Sequence, residues 1–148
     1  MTFPLLEPLV LIAMMRPLLL SALASVVFAL PVRAEPDGQA LYLQHCASCH
    51  GAALEGEPDW RTRKPDGKLP APPHDESGHT WHHPDPQLFA ITKYGIEALV
   101  PNYASDMGGY EEILSDQEIW AVLDYIKSQW PEEVRKQRAE ITARAAQQ

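Results

Sequence analysis

Apolar residues recur every three or four positions along three segments of the chain, which is the pattern of helices that each bury one face. The first predicted helix runs from Asp37, its N-cap, to Cys46. The second starts with Asp85 as a capping carboxylate and Pro86 at the first helical position, and it ends at Gly95. The residues expected on its buried side are Leu88, Ile91 and Tyr94.

The third predicted helix has the strongest pattern. It opens with a capping box from Ser115 to Glu118 and stops at Trp130-Pro131. Its apolar face consists of Ile119, Val122, Leu123 and Ile126. Residues 132–148 are charged and rich in alanine, with few apolar positions, and they predict a helical, solvated tail that frays at its end.

Two connecting segments show neither helical nor alternating periodicity. Residues 51–86 are dense in proline and glycine, and residues 96–114 form a second predicted loop. A loop as long as the first one inside a small domain usually has a function, and wrapping a ligand is one such function. The pattern as a whole therefore predicts a small all-α domain with a long Pro/His-rich loop.

The start of the chain is apolar in a different way. An apolar run follows Arg16 and ends in Val32-Arg33-Ala34, which gives a basic flank, an apolar core and a small-residue cleavage site. This arrangement predicts a secretory signal peptide over residues 1–34, and therefore a periplasmic protein. Met14 or Met15 would give a tidier start for this leader. If the leader is not cleaved, it would anchor the protein to a membrane.

Cleavage after Ala34 leaves a predicted domain over residues 35–131 and the tail over residues 132–148. The full chain has 12 basic and 20 acidic residues and a net charge of −8. The leader holds two of the basic residues and one of the acidic ones, so its removal changes the net charge to −9. Such an acidic domain argues against binding to nucleic acid or to anionic membrane surfaces.

The segment Cys46-Ala47-Ser48-Cys49-His50 holds both cysteines of the chain. Two cysteines separated by two residues and followed by histidine predict covalent attachment of one haem c through Cys46 and Cys49. On a helical turn the two sulfurs share one face, and His50 can follow as the proximal iron ligand. A dithiol enzyme would show a βαβ pattern and a zinc site a second Cys/His pair, and the sequence shows neither.

The second axial ligand separates electron carriers from haem enzymes. Met107 is the one methionine that follows Ala34, and the adjacent Gly108-Gly109 would let its loop bring the thioether to the iron. The rival ligands are four histidines of the 51–86 loop, one of which would give a bis-histidine haem. This histidine tract consists of His74, His79, His82 and His83. It could instead bind copper or zinc, or simply cover one edge of the haem.

The chain after the leader resembles the class I cytochrome c family. Three features carry the resemblance, namely the steps Gly38–Tyr42–Cys46, the position of Met107 eight residues before Ser115, and the helical run over residues 118–126. The resemblance implies a cytochrome c-like fold around one haem, with His50 and Met107 as its axial ligands.

The resemblance also implies two packing features. Gly38 and Tyr42 should lie where the first helix crosses the last, near Val122 and Tyr125. The carbonyl oxygen of Pro72 should accept a hydrogen bond from His50 Nδ1–H, which would fix the ring tautomer.

The function expected from these residues is one-electron transfer between redox proteins, without enzymatic activity, because protein ligands on both sides of the iron leave no route for substrate. The donor and acceptor proteins are expected to present positive or neutral surfaces to this acidic domain. Two alternatives come from other classes. One is a haem enzyme or gas sensor with an open site, and the other is a metal-handling protein that uses the histidine tract.

Overall fold

The computed structural model describes residues 34–147, and these residues form helices without any strand. The elements are α1 Gly38–His45, α2 Ala47–His50, a 3-10 turn Thr80–His82, α3 Asp85–Tyr94, α4 Ile96–Leu99, α5 Asp116–Ser128 and α6 Glu132–Ala145. The predicted all-α fold is confirmed. The predicted leader, apart from Ala34, lies outside the described residues. No helix between residues 34 and 147 is long and apolar enough to span a membrane.

The predicted helix ends at Asp37, Ser115 and Gly95 are confirmed. The Asp37 carboxylate accepts a hydrogen bond from the Ala40 N–H at 3.0 Å. Ser115 and Glu118 form the full capping box, each side chain accepting from the backbone N–H of the other residue. Gly95 ends α3 with a φ of +80°, a left-handed conformation that favours glycine. These helix ends were predictable because each depends on residues at most four positions apart.

Three elements are single turns, namely α2, α4 and the 3-10 turn. α4 lies inside the segment 96–114 that the sequence predicted to be a loop, and the 3-10 turn lies inside the loop 51–86. A helix of three or four residues is too short to repeat an apolar position, so periodicity could not reveal these turns.

The crossing of α1 and α5 organises the core, as the resemblance implied. A Cβ atom on Gly38 would overlap the Ala121 carbonyl oxygen and lie 2.7 Å from the carbonyl carbon. One turn later Tyr42 is fully buried, in one cluster with Val122, and its ring centroid lies 5.5 Å from that of Tyr125. The two backbones therefore touch at Gly38, and the tyrosine fills the space beside the contact.

The buried side of α3 differs in part from the prediction. Leu88 is buried and Ile91 is half-buried, but Tyr94 is 45% exposed. Phe89, which the periodicity did not select, stacks on Trp120 of α5 with ring centroids 4.6 Å apart. Residues five positions apart lie on well-separated sides of a helix, so when Phe89 packs on α5 the side chain of Tyr94 points outward.

The predicted capping role of Asp85 is wrong. Pro84 is the N-cap of α3, Asp85 is its first residue, and Pro86 stands one position further in. The Asp85 carboxylate instead pairs with Arg138 at 2.5 Å and with Lys127 at 3.3 Å. A buried guanidinium needs a compensating charge, and this tertiary demand outweighs the local capping preference.

The predicted solvated tail is exposed along most of its length, with one side chain as the exception. α6 is helical, as predicted, but the side chain of Arg138 is only 4% exposed and its guanidinium lies 5.9 Å from the ring centre of Trp130. Val134 packs against the cluster that contains Trp130. Burial lowers the pKa of Arg138, and Asp85 opposes that shift. A long basic side chain can cover apolar surface with its methylene stem, and a polar sequence pattern hides that contribution.

We predict that Gly38→Ala destabilises the protein. Alanine would stabilise a free helix by about 1 kcal/mol relative to glycine, but here its Cβ meets the backbone of Ala121, and overpacking of this kind costs about 1–3 kcal/mol. The sign of the stability change is measured by comparing the free energy of unfolding of the haem-loaded variant with that of the haem-loaded wild type. Gln39→Ala, at the exposed neighbouring position, is the control. An increase in stability of the Gly38 variant would contradict the close helix contact.

Candidate functional site

The two cysteines lie on a helical turn, as predicted. Cys46 joins α1 to α2, and its carbonyl oxygen accepts the His50 N–H at 3.0 Å. Cys46 is half-buried, Cys49 is exposed, and both are free thiols. Burial, and to a smaller degree the neighbouring Cys49, raises the pKa of Cys46 to about 11. The motif therefore presents two unbridged sulfurs one turn apart beside a histidine.

His50 is held in one orientation and one tautomer. Its ring is buried, and Nδ1 lies 2.9 Å from the carbonyl oxygen of Pro72. A carbonyl oxygen can only accept, so Nδ1 carries the proton and Nε2 keeps its lone pair. Burial lowers the pKa of His50, and the hydrogen bond to Pro72 partly opposes the shift. A neutral imidazole with Nε2 unprotonated is the form that binds a metal, and the predicted bond to Pro72 is confirmed.

The loop after the motif folds back to supply the Pro72 carbonyl. The Gly56 N–H donates to the His50 carbonyl at 2.8 Å. Glu57 and Ala71 bond each other twice, through the Glu57 N–H to the Ala71 carbonyl and through the Ala71 N–H to the Glu57 carboxylate. Gly56 has a φ of +67°, and a Cβ there would lie 2.5 Å from the Pro73 nitrogen. Glycine is thus required where the outgoing and returning chains touch.

Met107 is partly buried, and hydrogen bonds join its loop to neighbouring elements. Its N–H donates to Ser105 Oγ at 3.0 Å, and its neighbour Gly108 forms an isolated antiparallel bridge with Gly95. Tyr110 donates its hydroxyl to the carbonyl of His45, at 2.8 Å. These contacts tie the Met107 loop to the end of α3 and to the helix end that precedes Cys46.

The histidine tract does not assemble into a metal site. His79 stacks on Trp60 with ring centroids 5.3 Å apart and lies 5.4 Å from His83, while His82 packs against Trp81. Within residues 34–147, no three His, Cys, Asp or Glu side chains are grouped so that they could hold a metal ion. The hypothesis of a copper or zinc site therefore gains no ligand cluster from this structure.

His74 lies beside His50. The two rings stack with centroids 4.0 Å apart and planes inclined by 21°. Ligands on opposite faces of one haem are separated by the porphyrin, so a ring stacked on His50 is badly placed to be the second ligand. The bis-histidine alternative is left with His79, His82 and His83.

Sequence reasoning missed two hydroxyl contacts of the site. The Tyr42 hydroxyl donates to the Gly51 carbonyl at 2.8 Å, directly after the motif, and burial raises the pKa of Tyr42 strongly. Tyr110 makes the corresponding contact before the motif, at His45. The sequence predicted a packing position for Tyr42 and a loop position for Tyr110, and no hydroxyl contact for either residue. The tyrosines join residues 9 and 65 positions apart, and no local pattern signals such contacts.

Comparison with known proteins gives one finding. The family model described as Cytochrome c matches residues 36–130, a range that includes Cys46, Cys49, His50 and Met107 and ends before α6. No significant match to the chain was found among curated proteins or among solved structures. The donor set, two free thiols and an imidazole with Nε2 unprotonated, fits covalent haem.

We predict that Cys46→Ser/Cys49→Ser abolishes covalent haem attachment, because each of the two thioether bonds is formed by one of these sulfurs. The variant should be expressed together with haem-attachment factors and tested for haem that survives denaturing electrophoresis and acid–organic extraction. Ser48→Ala, an exposed change inside the same turn, should keep wild-type covalent haem. Haem that resists extraction from the double serine variant would disprove the assignment.

Proposed function

This chain belongs to the cytochrome c family, and from that premise we propose that it carries single electrons between redox proteins. The family match implies one covalently bound haem c, which supplies reversible one-electron chemistry when bound. The observation that carries the proposal is the hydrogen bond from His50 to the Pro72 carbonyl. It leaves Nε2 ready for iron immediately beside two free cysteines.

Met107 is the proposed second ligand. Its support is the anchoring of its loop to the motif-bearing helix through Tyr110 and His45, and to α3 through the bridge of Gly108 with Gly95. A thioether is a soft ligand that favours ferrous iron and raises the reduction potential. With a protein ligand on both sides of the iron, substrate has no open coordination position, which suits a carrier better than an enzyme.

The docking partners of the proposed carrier are redox proteins with positive or neutral surfaces. The chain carries 20 acidic against 12 basic residues, so an acidic partner would be repelled during approach. Large apolar side chains are exposed at Leu43, Tyr94, Leu99, Val100 and Ile113. Short-lived electron-transfer contacts are small, and charge complementarity steers them more than buried area does.

Export is the second part of the proposal. Cytochrome c domains typically occur outside the cytoplasm, in the periplasm or beyond it. The leader pattern that ends at Val32-Arg33-Ala34 supports this location. Both cysteines of the chain lie in the motif, so no other cysteine competes for their thiols before haem attachment.

We predict that Met107→Leu, which keeps the side-chain volume but removes sulfur, lowers the reduction potential and abolishes the weak sulfur-to-iron charge-transfer band of the oxidised protein. Affinity for added imidazole or carbon monoxide should rise, because the sixth position opens. Glu112→Gln, an exposed change in the same loop, should leave the band and the potential unchanged.

An unchanged spectrum and potential in Met107→Leu would contradict methionine ligation. One of His79, His82 and His83 would then replace Met107 in the proposal. Rapid binding of cyanide or carbon monoxide by the wild-type protein would instead favour the haem enzyme or sensor.

We predict that the exported protein begins at Glu35. N-terminal sequencing of the haem-containing protein, expressed from the full chain, measures this directly. Ala34→Trp should block cleavage, because the cleavage site requires a small residue, and should shift the protein to the membrane fraction. A wild-type protein that begins at Met1, Met14 or Met15 and is recovered with the membrane would show that the leader is an anchor.

A further inference from the structure

His74 contacts the proposed iron ligand but has no part in the proposed function. Its ring is nearly parallel to that of His50, and the centroids lie 4.0 Å apart. It follows Pro72 by two residues, so the segment that supplies the hydrogen bond to His50 also supplies the stacking ring. The imidazole of His50 is thereby held at Nδ1 by a carbonyl oxygen and on one face by a second imidazole.

Three hydrogen bonds fix His74 itself. Its Nδ1 lies 2.7 Å from the hydroxyl oxygen of Thr80, a buried residue. Its N–H donates to the Leu54 carbonyl at 2.7 Å, and its own carbonyl accepts the indole N–H of Trp130 at 2.6 Å. The His74 ring has little freedom to turn, because its Nδ1 is hydrogen-bonded and because both the N–H and the carbonyl of its backbone are hydrogen-bonded.

The groups that fix His74 come from distant parts of the chain. Thr80 belongs to the 3-10 turn, against which α6 packs, and Trp130 lies between α5 and α6. Trp130 is 2% exposed and the Arg138 guanidinium lies over its ring. The stacking partner of His50 is therefore held by the last two helices as well as by its own loop.

A hydrogen bond at Nδ1 alone does not fix the plane of an imidazole. The ring can still tilt through small coupled changes of its two side-chain torsions, because a hydrogen bond tolerates some bending, and such tilting changes the orientation of its plane. A second ring pressed against one face stops that motion, because neighbouring aromatic rings resist closer approach. The contact between His74 and His50 supplies this restraint.

We propose that His74 is a positioning residue that fixes the plane of the His50 imidazole relative to the haem. The inference rests on the proposed role of His50 as a haem ligand, but not on Met107 or on the carrier function. The plane of an axial imidazole determines the magnetic anisotropy of ferric haem iron, so the proposal concerns a property that spectroscopy measures directly.

The test uses the haem-loaded protein and five variants. His74→Ala removes the stacking ring, and His74→Phe keeps a ring without the bond to Thr80. Thr80→Val keeps His74 and removes that bond, together with the longer bond from the Thr80 hydroxyl to the Pro73 carbonyl at 3.4 Å. His82→Ala is the control for an exposed histidine of the same tract. The readouts are the electron paramagnetic resonance g-values of the ferric protein and the spread of its haem-methyl proton shifts.

We expect His74→Ala to shift the g-values and change the order or spread of the haem-methyl signals, and His74→Phe to restore most of the wild-type pattern. Thr80→Val should give a smaller change in the same direction as His74→Ala, and His82→Ala none. Ile119→Val, a core change in the other apolar cluster, controls for stability, because it should lower the melting temperature without moving the g-values.

Wild-type g-values and methyl shifts in His74→Ala would overturn the proposal. Equal changes in His74→Ala and His74→Phe would overturn it as well, because the stacking would then be irrelevant. If the phenylalanine variant does not fold, Thr80→Val decides, and an unchanged spectrum in that variant counts against the proposal. A wild-type protein without histidine-ligated haem would instead overturn the proposed function, so the two failures are distinguishable.

Discussion

The hydrogen bond from His50 to the Pro72 carbonyl is the contact on which the site depends. It fixes the proton on Nδ1 and so makes Nε2 the only ring nitrogen available to iron. It also joins residues 22 positions apart, which obliges the intervening chain to leave the motif and return. The positive φ of Gly56 and the paired bonds of Glu57 and Ala71 accomplish this return. The fold of the long loop thus places the Pro72 carbonyl oxygen against His50.

The crossing of α1 and α5 is the second contact that fixes the position of the motif. Contact of the backbones at Gly38 sets the position of α1, and the Tyr42 hydroxyl then reaches the carbonyl just past the motif. The Tyr110 hydroxyl donates a hydrogen bond to the His45 carbonyl at the end of α1, so the Met107 loop is attached to the same helix. α1 therefore helps to position both candidate axial ligands. His50 lies in α2, which follows α1 directly, and the Met107 loop is attached to α1 through the Tyr110 hydroxyl.

Sequence alone predicted the features that depend on neighbouring residues or on a family pattern. The capping box at Ser115, the helical turn at the motif and the bond from His50 to Pro72 all belong to this group. It did not predict the pairing of Asp85 with Arg138, which are 53 positions apart, because Asp85 matched a helix cap and Arg138 matched a solvated tail. The sequence also did not predict the stacking of His74 on His50, for a related reason. A histidine beside prolines carries no signal of the ring it will meet, and only the folded loop brings the two together.

The helix beyond the family match is part of the structure around the site. The ion pair of Arg138 with Asp85 joins α6 to the start of α3, and the Arg138 side chain is only 4% exposed, so detaching α6 would break this contact. With α6 docked, Trp130 is covered and its indole N–H stays bonded to the His74 carbonyl. The sequence patterns that looked least informative, a polar tail and a proline-rich loop, are therefore linked to each other through His74. His74 is also the residue that stacks on His50, so the loop directly, and α6 through Trp130, both bear on the position of the proposed iron ligand.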